Sequence, residues 1–374
     1  MTTTNPERRS PIIPGQLLAA RQSIGLSLAE AAERVHVQPA ELARWEEGSA
    51  EPSVEQLWEL AELYGRGTDY FLRSLPPPPA RVSFRLRNQR TMRDLPLEAR
   101  QVFARFQELC RAADELEELS GTPRVVTVTP VPKEDDPDRL AQRERERLGL
   151  GNRPIRDLRA LLEKQGVRIF EIPVRGEGFS GFSWWHSDYG PCILVNAGEE
   201  AGRRTFTLAH EYAHLLQAHL PHVCHPEALI DKADERFANR FAVAFLMPAS
   251  DVVNTFKSKG LSGTSLSTPQ LASLARRYGV SLHAMAIRLE ELGLVAKGTT
   301  QSLIAQWEAS PKFPRRPKTA PWKRRLGEPY VSLASRAYVQ GQISVGKLAE
   351  YLGLPLREAI GLAQEAKQQG HERG

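Results

Sequence analysis

The run from Thr207 to Leu216, Thr-Leu-Ala-His-Glu-Tyr-Ala-His-Leu-Leu, constrains this chain more than any other stretch. His210 and His214 stand four residues apart in helix-compatible sequence. An α-helix turns once every 3.6 residues, so both imidazoles project from one face, close enough to share a metal ion, with Glu211 beside them. A catalytic zinc takes three protein ligands and keeps a fourth position for water, so a third ligand must come from elsewhere. Downstream, Asp234 to Pro248 is strongly helical, with an apolar face and a proline stop. Glu235 and Asn239 share its other face at i, i+4. A carboxylate there can complete a His, His, Glu set, and Asn239 is placed to orient one ligand from behind. Glu211 is too close in sequence to bind the same ion easily. It is left to act as general base, removing a proton from a water that the zinc acidifies.

The rest of the chain bounds the setting. Its 374 residues suit two to four units of ordinary size, and 41% hydrophobic with 25% charged residues is the composition of a globular protein. Cys110, Cys192 and Cys224 are far apart and odd in number, which excludes a disulfide framework and favours a reducing compartment. The first fifteen residues are polar and carry Arg8 and Arg9, unlike a secretory signal, and no later stretch has the uncharged apolar length of a membrane span. A cytoplasmic location is expected, with no membrane partner.

Four domains are expected: 14–73, an all-helical unit; 74–138, a Pro-rich linker and a long amphipathic helix; 139–300, the metal-binding region with a small sheet; and 301–374, a basic linker and a C-terminal helical unit. The fold class is α+β, predominantly α. In the first segment, helices are expected over 15–22, 27–34, 39–46 and 53–64, with Ser27 as an N-cap and Gly48 as a stop. Pro76 to Pro79 form a stiff spacer, and apolar residues from Val102 to Leu116 recur at three and four residue spacing in a helix that ends at Ser120-Gly121. Helices at 139–148 and 154–165 precede a strand at 167–172. A hairpin over 179–185 and 192–195, just before the histidine helix, is the natural candidate for gripping an extended peptide. His219, His222 and His225 read as a solvated loop, although they, Tyr189 and Tyr212 are available to stabilise an oxyanion.

Two resemblances follow from these residues. Leu28-Ala-Glu-Ala-Ala-Glu-Arg-Val-His-Val37 with Leu42, Arg44-Trp45-Glu46, Gly48, Pro52-Ser53 and Leu57 resembles the Cro/CI (XRE) helix-turn-helix family. By that resemblance the helix beginning near Gln38 enters the major groove, and Gln38, Ala40, Glu41 and Arg44 face DNA. The sequence departs from the family at His36, where glycine is usual, and in its charge. Residues 14–73 hold five Arg against ten Asp and Glu, and a net −5 is repelled by phosphate. Docking to a protein or to a second copy, giving a homodimer, is therefore an alternative use of this unit. Arg81 to Arg93 and Lys312 to Arg325 are basic runs that could touch nucleic acid instead.

The second resemblance spans roughly residues 140–300. Arg203-Arg204, Phe206 to Leu216, Glu235-x-x-Ala-Asn239-x-Phe241-Ala242 and Leu246-Met-Pro248 are similar to the ImmA/IrrE metallo-endopeptidase family. The resemblance implies a zincin-like domain with zinc on His210, His214 and Glu235, and Glu211 as base. It also implies a protein substrate, a Cro/CI-type repressor whose cleavage releases its genes. Fusion to a helix-turn-helix domain is a familiar arrangement there, so the expected function is a regulatory zinc endopeptidase that controls transcription. The alternative is a helix-turn-helix regulator or antitoxin-like protein whose zinc site senses or braces without proteolysis. Finally, Leu28–Leu42, Leu271–Met285 and Val345–Ala359 each read as helix, turn, helix, with His36, Gly279 and Gly353 aligned at the turn.

Overall fold

Four short helices open the described chain, two of them begun by capping boxes and two ended by left-handed glycines: α1 (Pro14–Ser23), α2 (Leu28–Arg34), α3 (Pro39–Glu47) and α4 (Val54–Tyr64). Ser27 accepts from the Glu30 amide while the Glu30 carboxylate accepts from the Ser27 amide, and Ser53 and Gln56 repeat the arrangement at α4. Such caps contribute about 1 kcal/mol each, enough to matter in helices this short. Leu17, Ala32, Leu42, Trp45, Leu60 and Tyr64 fill the core between them. The computed structural model describes residues 12–72, 95–131, 136–174, 179–217, 222–224, 232–263, 266–309 and 321–372. The Pro76–Pro79 spacer, the Arg81–Arg93 run and the Lys312–Lys318 part of the second basic run lie outside them.

His36 is the only non-glycine among the described residues with positive φ, at 55°. An L-residue there costs about 1–2 kcal/mol, whereas glycine forfeits about 0.5–1 kcal/mol of unfolded-chain entropy. His36→Gly should therefore stabilise the first helices by roughly 0.5 kcal/mol, and a β-branched His36→Val should destabilise them. Hydrogen exchange of the α2 and α3 amides in the full chain measures both. Faster exchange in the glycine variant would contradict the strain.

The chain divides into two compact units, Met1–Thr122 with Tyr330–Gly374, and Pro123–Pro329. After α5 (Leu97–Ser120), the second unit runs α6 (Pro137–Arg147), α7 (Leu158–Lys164), β1 (Arg168–Ile172), β2 (Gly181–His186), β3 (Gly190–Asn196), α8 (Ala201–Leu216), β4 (His222–Cys224) and α9 (Lys232–Leu246). It continues with α10 (Ala249–Ser258), α11 (Thr268–Tyr278), α12 (Leu282–Glu291), α13 (Thr299–Ala309) and α14 (Trp322–Leu326). The fold is α+β and predominantly α. The sheet order is β1-β3-β2-β4, with β1 parallel to β3 and the other pairs antiparallel. One helix is shorter than its apolar pattern predicts: α7 begins at Leu158 because Asp157 accepts from the Ala160 amide and caps it there, leaving Pro154 to Arg156 outside.

The core of this unit packs Tyr212 of α8 against Phe241 and Phe245 of α9, whose rings stack 5.2 Å apart. Loss of a buried phenylalanine costs about 3–5 kcal/mol, against about 0–1 for a surface ion pair, so aromatic packing sets how α9 lies on α8. Two buried arginines tie down the far end of α9. Arg145 donates to the Phe245 carbonyl and Arg288 to the Met247 carbonyl, the latter at 3.1 Å.

The chain ends with α15 (Glu328–Val339), α16 (Val345–Leu352) and α17 (Leu356–Glu372). From Tyr330 on they share a unit with α1 to α5, so the segments read as linker helix and C-terminal region lie in the same unit as the helix-turn-helix segment. Within it, Arg66 donates to the Ala104 carbonyl and pairs with Glu108 of α5 at 2.8 Å, while Gln342 donates to the Leu119 carbonyl. The three aligned turn residues, His36, Gly279 and Gly353, have φ of 55°, 65° and 62°, so the sequence repeat is also a backbone repeat. Among the described residues no helix is long and apolar enough to cross a membrane.

Candidate metal centre

Helix α8 begins against two close backbone neighbours that fix its position. A Cβ on Gly202 would lie 2.4 Å from the Ser281 amide nitrogen, so the first turn of α8 rests on the turn between α11 and α12. At the other end Trp185 of β2 donates to the Leu215 carbonyl at 2.8 Å. Between these anchors every residue from Thr207 to Leu216 is buried, including His210, Glu211 and His214. Burying a charged and two ionisable side chains on one helix is costly unless they answer one another or an ion.

They do answer one another. The His210 and His214 Nε2 atoms are 3.1 Å apart, and each lies 3.4 Å from an oxygen of Glu235, which α9 brings in from the side. Among the described residues these three are the one group of His, Cys, Asp or Glu that converges closely enough to hold a metal ion. Bond lengths of about 2.0–2.1 Å at tetrahedral angles place zinc ligands about 3.3–3.4 Å from each other. The observed edges match that spacing, and two imidazoles with one carboxylate are a donor set for a divalent transition metal.

Asn239, one turn beyond Glu235, sets the direction of the lone pair. Its Oδ1 lies 3.0 Å from His210 Nδ1, and an amide oxygen can only accept, so Nδ1 carries the hydrogen and Nε2 offers its lone pair to the centre. Without an ion the three groups stabilise each other through protons. Burial alone lowers the basicity of His210, but its bond to Glu235 and the charges of Glu211 and Glu235 outweigh that and raise it. Burial likewise acts to raise the Glu235 carboxyl, and the two histidines overcome it, holding Glu235 well below the usual carboxylate range.

Glu211 is fully buried, and the residue that admits it is Gly181 at the start of β2. A Cβ there would lie 2.6 Å from Glu211 Oε1 and 2.6 Å from Thr207 Cγ2. Gly181 was not singled out from the sequence, although a glycine inside a strand pattern is the usual mark of such a close approach. Arg145 and Arg288 left no such signal, because the carbonyls through which they hold the end of α9 lie about a hundred and about forty residues away. Gly181→Ala should force the Glu211 and Thr207 side chains aside and lower stability by about 1–3 kcal/mol, read as a fall in melting temperature. An unchanged melting temperature would show that the two side chains give way without cost.

Residues 162–290 match the family model described as IrrE N-terminal-like domain, peptidase M78, and residues 17–71 match that described as Helix-turn-helix. The chain joins a helix-turn-helix domain to an IrrE N-terminal-like peptidase domain. No curated protein matches the chain. The peptidase match contains β1 to β4 and α8 to α11, hence all four of His210, Glu211, His214 and Glu235.

Two tyrosines read as available to an oxyanion have other partners. The Tyr212 hydroxyl donates to buried Glu144, and burial together with the Glu144 charge raises its pKa far above the ordinary phenol value. Tyr189 stacks on His186 at 4.2 Å at the hairpin turn. The side chains of His219, His222 and His225 lie outside the described residues. The hairpin strand beside Glu211 is not a free edge either. Gly181 to Ser183 pair with β3 on one side and with β4 on the other, because the chain returns after α8 to cover that edge. In the helix-turn-helix domain, Gln38 stands at the N-cap position of α3 without a side-chain capping bond and is exposed, as are Ala40 and Arg44, while Glu41 is half-buried.

Proposed function

We infer that the protein is a zinc metallo-endopeptidase that controls transcription by cleaving a Cro/CI-type repressor in the cytoplasm. The helix-turn-helix domain brings it to DNA, through Gln38, Ala40, Glu41 and Arg44, or to that repressor. The observation that carries the reading is the convergence of His210, His214 and Glu235 at tetrahedral spacing with Glu211 next to them and outside the triangle. A purely structural site has no use for a second, buried carboxylate there.

When bound, zinc supplies Lewis acidity, which acidifies a water and polarises a peptide carbonyl. His210 and His214 offer neutral Nε2 lone pairs, and Asn239 keeps the His210 hydrogen on the far nitrogen. Glu211 takes the proton of the attacking water as the carbon–oxygen bond forms, then passes it to the departing amine as the carbon–nitrogen bond breaks. Gly181, with no Cβ, leaves the room that the carboxylate occupies.

Incubating the zinc-loaded chain with candidate Cro/CI-type repressors tests the reading. Two repressor fragments are expected, lost with a chelator and restored by added zinc. Intact repressors together with operator binding by the chain would instead favour a regulator whose metal does no hydrolysis.

A further inference from the structure

A cavity of about 960 Å³ opens beside the metal centre in the second unit, with His210 and Glu235 in its wall. That is the upper end of the range for ligand sites, about 300–1,000 Å³, and holds several side chains. Four helices line it, each along one face. On α9 the face runs Glu235, Asn239, Val243 at steps of four residues, so it passes from a metal ligand to an apolar wall over about 12 Å of helix. That length is three to four residues of extended peptide. Ile287 of α12 and Ile304 and Trp307 of α13 form the facing wall.

This wall is the feature that the centre itself does not explain. Ile287 is 46% exposed, and Val243, Leu282, Ile304 and Trp307 are only partly covered. The charged residues around them select no sign. Arg203, Arg236 and Arg240 share the lining with Glu200, Glu235, Glu291 and Glu308, and Arg240 pairs with Glu291 at 3.1 Å. Discrimination therefore falls to the uncovered apolar surface, and the occupant is whatever reaches the metal from it.

We propose that this peptidase selects substrates with a bulky apolar side chain within three residues of the scissile bond, held by Val243, Ile287, Ile304 and Trp307. The proposal rests on the metallopeptidase reading for the chemistry, but the groove binds its ligand whether or not a bond is cut.

The test uses the full zinc-loaded chain and acetylated tripeptide hydroxamates, whose hydroxamate binds the metal, with Leu, Phe, Gly or Asp at each position. Calorimetry should give affinities at least about tenfold tighter for Leu or Phe than for Gly or Asp at one position or more. Ile287→Gln, at an exposed site that tolerates the change, and Trp307→Ala should each erode that preference at unchanged zinc stoichiometry. Equal affinities across the series, or a preference that both variants retain, would overturn the proposal. Absence of hydroxamate binding by a zinc-loaded chain would also overturn it. Failure of the underlying reading shows differently, as a chain that takes up no stoichiometric zinc or whose repressor cleavage is indifferent to Glu211→Gln.

Discussion

Glu211→Gln is expected to abolish the proposed proteolysis and to leave metal binding intact. The substitution keeps the volume that Gly181 admits and removes only the ability to accept a proton, so packing at the start of β2 is preserved. General base and acid transfer by one positioned group contributes about 10²–10⁴-fold, and Glu211 is assigned both transfers, so a fall in kcat at the upper end of that range is expected. One zinc per chain and an unchanged hydrogen-exchange pattern in α8 are the accompanying results. With any repressor that the parent chain cleaves, cleavage by the variant that stays metal-dependent at the original rate would show that another group moves the proton.

The second large effect is on the ion. His210→Ala and Glu235→Ala each remove one of three converging ligands, and stoichiometric zinc binding should be lost. Asn239→Ala provides the scale, since it removes only the hydrogen bond behind His210 and should weaken zinc by about 10–100-fold. The order of loss, ligand variants well beyond the Asn239 variant, is read by competition with a chromophoric chelator. Because an ion that binds only the folded chain stabilises it, zinc should also raise the melting temperature of the parent chain and leave that of His210→Ala unmoved. Tight zinc retained by His210→Ala would refute the ligand set.

The helices of the first unit were largely legible because their signals are local. The Ser27 and Ser53 boxes, the Gly48 and Gly121 stops and the apolar periodicity of Leu97 to Ser120 act within a turn or two, and the helices follow them to within a residue or two. The histidine pair belongs to the same class, since spacing on one helix fixes which side chains face together. Glu235 was found because it repeats that logic on a second helix. The covered edge of β2 was not legible, nor were Gly181, Arg145 and Arg288. Strand order depends on where the chain returns after α8, and a carbonyl partner leaves no residue type to recognise.

Sequence alone placed His210, His214 and Glu211 together on one helix and Glu235 with Asn239 on one face of a second, because periodicity places side chains on a helix face without knowledge of what the helix touches. It also marked the helix-turn-helix segment through its caps and turns. Only the tertiary structure decided that the three donors meet at 3.1–3.4 Å, that Asn239 bonds His210, and that Gly181 makes room for Glu211. It alone opened the apolar cavity beside them. Those are distances between elements far apart in the chain, set by the packing of Tyr212, Phe241 and Phe245 and by buried arginines, and no local pattern encodes them.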